Sequence, residues 1–382
     1  MSLFIEFHLI QNFAPSNLNR DDTGSPKDAI FGGHRRARVS SQCFKRAIRL
    51  ASQDMELLPS EHRATRTRRL LKLLQQRLEG RDPEEAREKV KAALAAAGLK
   101  LKDDGKTEYL LFLGEREIAG MTSLINEHWD TLVSEPESET DKKRSKKQVK
   151  ASLPPDVVKQ VKGLLDGGKA VDISLFGRML ADLPGGKKDA ACQVAHAIST
   201  HRVEREFDYF TAVDDVEDDD ESGAGMINHV EFNSATLYRY AVIDMGKLVK
   251  NLQGDTDLAL AALEAFVLAK VRAVPTGKQN SFAAHNMPAF VGVCFRHAAP
   301  MNLVNAFERP VFPRQDKSLT DLSVSELDRH ETHLAGVYGD TRDHWGYLDL
   351  TGAWAEGKGE AQPDLSSLAE WVKTQATEKM EA

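Results

Sequence analysis

Apolar and polar residues alternate at the start of the chain. Leu3, Ile5, Phe7 and Leu9 interleave with Phe4, Glu6, His8 and Ile10, a period of two that predicts a strand with at least one apolar face. Residues 11–33, rich in Asn, Asp, Pro and Gly, read as a long loop. Ser40-Ser41-Gln42 then supplies cap residues for a helix. On that helix Phe44, Ala47, Ile48 and Ala51 share one face, while Lys45, Arg46 and Arg49 fall largely on the other.

Residues 59–181 have a different character. Leu70, Leu71, Leu74 and Leu78 form a helical stripe that stops at Gly80. Asp82 followed by Pro83 starts another helix, and Gly98 ends it. Leu99–Leu113, broken by Asp103-Asp104-Gly105, predicts a hairpin. A helix is expected over about 115–133. Residues 134–150 hold almost nothing apolar and read as a linker, and a helix from Pro155 ends at Gly167-Gly168. Ala190–His201 reads as helical. Phe207–Val213 and Val230–Ile243 read as strands flanking an acidic, Gly-containing tip at 214–225, which makes a projecting hairpin. A helix over Asp255–Ala273, a strand over Ala289–Phe295 and two helices near 323–335 and 364–378 complete the pattern.

With 382 residues, 41% of them hydrophobic, the chain has material for about two domains of ordinary size. Its longest apolar runs, such as Tyr109–Leu113, are too short to span a bilayer, and the start lacks a basic leader, so a cytoplasmic protein is expected. Cys43, Cys192 and Cys294 lie far apart, which excludes a disulfide framework and a CxxC metal site. The net charge of −7 hides a strong local imbalance. No acid occurs between Ala29 and Gln53, where Arg35, Arg36, Arg38, Lys45, Arg46 and Arg49 fall. Further basic runs cover Arg63–Arg77 and Lys142–Lys150, while acid gathers at 214–221. Such stripes suit a polyanion better than the total charge suggests.

Catalytic motifs fail on inspection. Gly163…Gly168-Lys169 has Walker A spacing, but Ala170 replaces the magnesium-binding hydroxyl. His330-Glu331-Thr332-His333 is one residue short of a zincin motif. No G-x-S-x-G elbow occurs. Asp21-Asp22, beside Arg20 and Lys27, is a pair that can either hold a divalent ion against a phosphodiester or cap its own turn; turn chemistry is the commoner role. Neither a metal nor a cofactor is expected.

Several blocks together resemble a known family. They are Asn19-Arg20-Asp21-Asp22, Lys27 to Arg36, Ser40-Ser41-Gln42, Lys45-Arg46-Ala47, Gly177-Arg178-Met179 and Ala195-His196-Ala197-Ile198. Phe210 to Asp215, Tyr238-Arg239-Tyr240-Ala241, Gly277-Lys278-Gln279 and Asn305-Ala306-Phe307-Glu308 continue the series in the family's order. The sequence is similar to the backbone subunit of the type I-E CRISPR surveillance complex Cascade, CasC, in the Cas seven family. The similarity is least over about 50–170 and beyond 310.

The resemblance implies an α+β fold: an RRM-like (ferredoxin-like) palm over 1–58 and 182–382, a helical fingers insertion over 59–181, and a β-hairpin thumb near 203–231. It implies no catalysis by this chain and several copies polymerised along one CRISPR RNA, with each thumb displacing a nucleotide at a regular interval. Implied partners are target DNA, further copies of the chain, and the large, small, guide 5′-end-capping and guide-processing endoribonuclease subunits. A recruited nuclease-helicase cuts the DNA, and no membrane is involved. Type III relatives cleave RNA from a comparable loop, which keeps a metal-dependent ribonuclease using Asp21 and Asp22 as the alternative. A third possibility is a general single-strand RNA chaperone.

A guide of any sequence has to be held by phosphate and sugar, leaving base edges free. Arg20, Lys27, Lys45, Arg46 and Arg49 suit phosphates, and Ser40 and Gln42 sit where a helix N-terminus favours an anion. Tyr209, Phe210 and Val213, with Met179 from the Gly-Arg-Met block, suit contact with bases of any kind. Gly277 and Lys278 are candidates for a further backbone-contacting loop. Lys142, Lys143, Arg144, Lys146, Lys147 and Lys150 are suited to incoming target DNA.

Overall fold

The computed structural model describes residues 3–132, 155–179, 186–212 and 226–381. The chain divides into two compact units. One comprises Met1–Met55, Gln193–Met245 and Leu260–Ala382; the other comprises Glu56–Cys192 and Gly246–Ala259.

The first unit opens with β1 (Phe4–Ser16), longer than the alternating stretch because pairing with a partner strand carries it to Ser16. The expected loop over 11–33 is therefore shorter. It also contains β2 (Asp28–Phe31), which turns through Gly32-Gly33 into β3 (His34–Val39). Gly32 has φ +57°, and a Cβ there would lie 1.8 Å from the carbonyl oxygen of Glu308, so both torsion and space demand glycine. Helix α1 (Ser41–Asp54) follows with Ser40 as its cap, the hydroxyl accepting from the Cys43 N–H at 3.3 Å. Phe44, Ala47 and Ile48 are its buried face.

The second unit is built around helices α2 (Leu70–Arg77), α3 (Pro83–Ala97), α4 (Glu115–Glu127) and α5 (Pro155–Leu164). Leu70, Leu74, Val90, Ile118, Ile125 and Val161 meet in its core. Asp82 caps α3 by accepting from the Glu84 and Glu85 N–H groups, and Gly98 ends it in the left-handed conformation at φ +85°. Asp103-Asp104-Gly105 does make a tight turn, bridged at Leu101 and Thr107. The predicted hairpin is confined to this turn, where the Lys102 N–H donates to the Lys106 carbonyl and the Glu108 N–H to the Lys100 carbonyl; beyond it β5 (Leu111–Gly114) pairs instead with β4 (Ala64–Thr67). A short helix, α6 (Val171–Phe176), ends at Gly177.

At Ala190–His201 the expectation of a helix is wrong. The segment forms two short strands, β6 (Cys192–Val194) and β7 (Ala197–Ser199). Its alanines satisfy helical propensity, but Ile198 and Ser199 pair with Tyr238 and Leu237 of a long strand, and tertiary pairing overrides a weak local preference. The predicted hairpin is present as β8 (Glu206–Ala212) and β9 (Met226–Asp244), paired from Glu206↔Phe232 to Ala212↔Met226. Strand β10 (Phe290–Arg296), β11 (His344–Asp349) and β12 (Glu360–Ala361) complete the sheet. Its order is β12-β11-β10-β1-β9-β7-β3-β2, with β6 and β8 paired to β9 off this path. Along this path the pairs are antiparallel except β11 with β12, and β8 is antiparallel to β9. The fold is the α+β class the sequence implies.

Both faces of β1 are covered. Phe7 packs edge-on against Phe266 of the long helix Thr256–Arg272, ring centroids 5.1 Å apart. The opposite face carries Glu6 and His8, both fully buried, near Trp345 and the helix Leu319–Tyr338. That polar pair inside a core was not anticipated. It is satisfied by Tyr240, which donates to Glu6 at 2.8 Å, by Arg296, which donates to Glu6 at 2.7 Å, and by Tyr238 beside His8 at 2.8 Å.

Candidate nucleic-acid interface

In the first unit two of the predicted cations, Arg20 and Arg46, line one open groove of about 480 Å³. It is lined by Arg20, Asp21, Asp22, Arg46 and Gly277 among others. Three segments build it. The loop from Asn19 is folded by the Arg20–Pro26 bridge and by the Lys27 N–H donating to the Asn19 carbonyl at 2.8 Å. Asn19 Oδ1 also accepts the Ser40 N–H at 2.9 Å, which ties the loop to the start of α1. The third segment is the Pro275–Gly277 stretch, where a Cβ on Gly277 would lie 2.4 Å from the Leu18 carbonyl oxygen. Only glycine permits that approach.

Of the groove's cations, Arg20 and Arg46 are both exposed; on the same loop and helix but outside the groove's lining, Gln42 is exposed and Lys27, Lys45 and Arg49 are half-buried. Ser40 is buried with its oxygen committed to the cap, so its hydroxyl is foremost a structural group. Lys278 adopts a left-handed conformation at φ +51° and leads into the short helix Gln279–Phe282.

Asp21 takes the turn role. Its Oδ1 accepts from the Thr23 hydroxyl at 2.7 Å and from the Thr23 and Ser25 N–H groups at 3.0 Å each. The Thr23 hydroxyl bond, against a smaller effect of burial, holds the carboxyl below its ordinary range. No group of three or more His, Cys, Asp or Glu suited to a metal ion occurs among the described residues.

On the hairpin, Tyr209 is 65% exposed and Phe210 37%. Phe207, not singled out by the sequence, is also 65% exposed and lies two positions from Tyr209, on the same face of the strand. In the second unit Met179 is 83% exposed, so it is no core residue. Its neighbour Arg178 is buried and donates to both oxygens of Glu117, to the Phe112 and Leu165 carbonyls and to the Gly186 carbonyl. The Gly-Arg-Met block is thus a clamp that leaves Met179 outward. Val213, Lys142, Lys143, Arg144, Lys146, Lys147, Lys150 and the acidic tip at 214–221 lie outside the described residues.

Two features escaped the sequence reading. Arg36 and Arg239, counted among basic surface or motif residues, are buried structural groups. Arg36 donates to the Ser199 carbonyl at 2.9 Å and to the Phe307 carbonyl at 2.7 Å, which joins the Gly32-Gly33 turn to the Asn305–Glu308 block. Conversely, exposed His196 meets the start of α1: its Nδ1 accepts from the Ser41 N–H at 3.2 Å and faces an Arg38 N–H at 3.4 Å. Partial burial, with Arg38 and Lys27 nearby, lowers its pKa and favours the neutral ring. The tertiary pairing that places it, β7 on β3, is what the helical reading missed.

The family model of CT1975-like proteins matches residues 5–374. A chain of a solved CRISPR RNA-guided surveillance complex, pre-nicking, superposes with a TM-score of 0.85 at 30% identity, covering 98% of this chain and 100% of that one. A chain of a second CRISPR RNA-guided surveillance complex gives a TM-score of 0.75 at 27% identity over 97% and 99%. No curated protein matches the chain. The chain belongs to the CT1975-like family, the Cas seven type of CRISPR-associated subunit that the blocks between Asn19 and Glu308 resemble. Among the described residues no helix is long and apolar enough to cross a membrane.

Proposed function

We propose that this chain is a non-catalytic, CRISPR RNA-binding backbone subunit of a type I-E Cascade surveillance complex, polymerising along the guide and presenting it in segments to target DNA. The observation that carries the reading is the groove in which Arg20 and Arg46 lie exposed on two different segments, with Lys27 on the same loop as Arg20 and Lys45 and Arg49 on the same helix as Arg46. Cations spread along an open surface suit a backbone of repeating phosphates and leave the bases free. Exposed Phe207, Tyr209, Phe210 and Met179 add apolar surface that tolerates any base. Its partners on this reading are the guide, target DNA, further copies of itself and the other Cascade subunits, in the cytoplasm. The lysine-rich run Lys142–Lys150 is assigned to incoming duplex. Neutralising it is expected to weaken duplex capture and leave guide content per complex unchanged.

The absence of catalysis rests on the use of Asp21 as a turn cap. The deciding experiment purifies the complex, sequences the RNA that accompanies it, and incubates it with guide-complementary RNA and Mg²⁺. Guide RNA carried and complementary RNA left intact is the expected result. Cleavage by wild type that Asp21→Asn with Asp22→Asn abolishes would establish the ribonuclease instead. Monomers scattered on short RNA of any origin would establish a general chaperone.

A further inference from the structure

We infer that Asn17 and Arg205 are positioning residues that hold the β8–β9 hairpin to the Arg20–Lys27 loop, so that hairpin and groove meet a bound strand in one fixed register. The inference deepens the RNA-binding reading above and rests on it.

Three parts of the candidate interface converge on Asn17, whose side chain is fully buried. Its Nδ2 donates to the Gly24 carbonyl, in the loop that carries Arg20 and Lys27, at 2.9 Å. The same nitrogen donates to the Glu231 carbonyl of β9, opposite Phe207 at the root of the hairpin, also at 2.9 Å. Two carbonyl acceptors require the NH₂ end of the amide here. The backbone oxygen of Asn17 lies where a Cβ on Gly277 would come within 2.7 Å, so the third segment rests on the same residue.

A second tie runs beside it. Arg205, the residue before β8, donates to Asp28 of β2 at 2.9 Å and to Glu231 at 3.1 Å. Asp28 is shared with Arg35 at 2.8 Å. Arg205 and Asp28 are about one quarter exposed and Glu231 less, so the pairs are only partly screened by water. A two-stranded hairpin is marginal alone, and its direction is set by what grips its root. Here the grip comes from the loop that also carries Arg20 and Lys27 and from β2, which follows it directly. Moving the loop therefore moves the hairpin.

The test uses the guide-loaded complex in wild type, Arg205→Gln, Arg205→Lys and Asn17→Asp. Arg205→Gln is expected to raise hydrogen exchange of the Glu206–Ala212 amides about fivefold, the scale of one half-buried ion pair, with the Phe290–Arg296 amides unchanged. Guide content per complex should stay at the wild-type level, while the contrast between reactive and protected guide nucleotides falls. Arg205→Lys, which keeps the charge but loses the two-way fork, should fall between the two. Asn17→Asp sets a carboxylate against two carbonyl oxygens and should act in the same direction; if it does not fold, Arg205→Gln decides alone. Unchanged hairpin exchange and an unchanged footprint in Arg205→Gln overturn the inference. So does loss of guide with the footprint pattern intact, which marks a merely structural role. A wild-type complex that carries no RNA fails earlier and separately, at the RNA-binding reading.

Discussion

The guanidinium of Arg239 lies over the ring of Phe44, 4.3 Å from its centroid, with both side chains buried. This contact seats α1 on the sheet. Arg239 also donates to Gln11 Oε1 and to the Lys270 carbonyl, so its two terminal nitrogens are engaged while its flat face packs. Burial pushes its pKa down to about 9, which still leaves it charged at neutral pH. Phe44→Ala removes the ring from a filled site and is expected to cost about 3–5 kcal/mol in urea unfolding. A loss below about 1 kcal/mol would mean that α1 is anchored elsewhere.

The groove yields a salt-dependence prediction. Arg20 and Arg46 reach it from two segments and are both exposed. Each phosphate contact to a single strand contributes about 0.7 to the log–log salt slope, so Arg20→Ala with Arg46→Ala should flatten it by about 1.4. The loss should be the same for guides of different sequence. RNA titrations at several salt concentrations provide the measurement, and an unchanged slope removes both residues from the interface.

Gly32 and Gly33 are adjacent in one turn and have different reasons to be glycine. Both have positive φ, at +57° and +76°. A Cβ on Gly33 meets nothing within 4 Å, whereas on Gly32 it collides with the Glu308 carbonyl. Gly33→Ala should therefore cost only the left-handed strain, about 1–2 kcal/mol. Gly32→Ala should cost clearly more, because it parts the turn from the Asn305–Glu308 segment. Equal losses in paired unfolding curves would contradict the close approach.

Signals that act over a few residues were legible in the sequence. Ser40, Asp82 with Pro83, and Gly98 mark helix ends by local hydrogen bonds and torsions, and they sit where the pattern put them. The strands of the hairpin were visible for the same reason. What stayed hidden depends on distant partners. Arg36 reads as surface charge until the Ser199 and Phe307 carbonyls, from segments far along the chain, close around it. The stretch around Ala197 reads as helix until β3 and β9 flank it. Among the candidate site residues, Arg20, Arg46 and Gly277 do line one groove, but nothing local indicated that Asn17 ties their loop to the hairpin or that His196 meets the start of α1.

The polar pair inside the core contributes to the acid stability of the first unit. Leu303 N–H donates to the Tyr238 hydroxyl, which lies 2.8 Å from His8 Nδ1, and His8 Nε2 lies 3.4 Å from Glu6. The chain of bonds fits a neutral ring with its proton on Nε2. Burial lowers the His8 pKa, with Arg296 adding to it and Glu6 opposing. The unfolded chain thus takes up a proton near the ordinary value of 6.5 while the folded protein does not. His8 costs nothing above that pH and destabilises progressively as pH falls from 6.5 toward its folded value, by at most ~1.4 kcal/mol per pH unit. For Glu6, burial alone would raise the pKa, but the bonds to His8 and Arg296 outweigh it and the net shift is downward. Its contribution is complete above the ordinary 4.5 and is lost as pH falls through the lower folded value. Histidines 196, 201, 297 and 330 are also shifted down, so the whole acid limb is not owed to His8. The difference between wild type and His8→Gln isolates it. The variant should be less stable at pH 7.5, because the fit beside Tyr238 and Trp345 is lost, and its stability should fall less steeply between pH 6.5 and 5. Urea midpoints measured across that range decide the matter: parallel curves would mean that His8 takes up its proton in the folded protein as readily as in the unfolded chain.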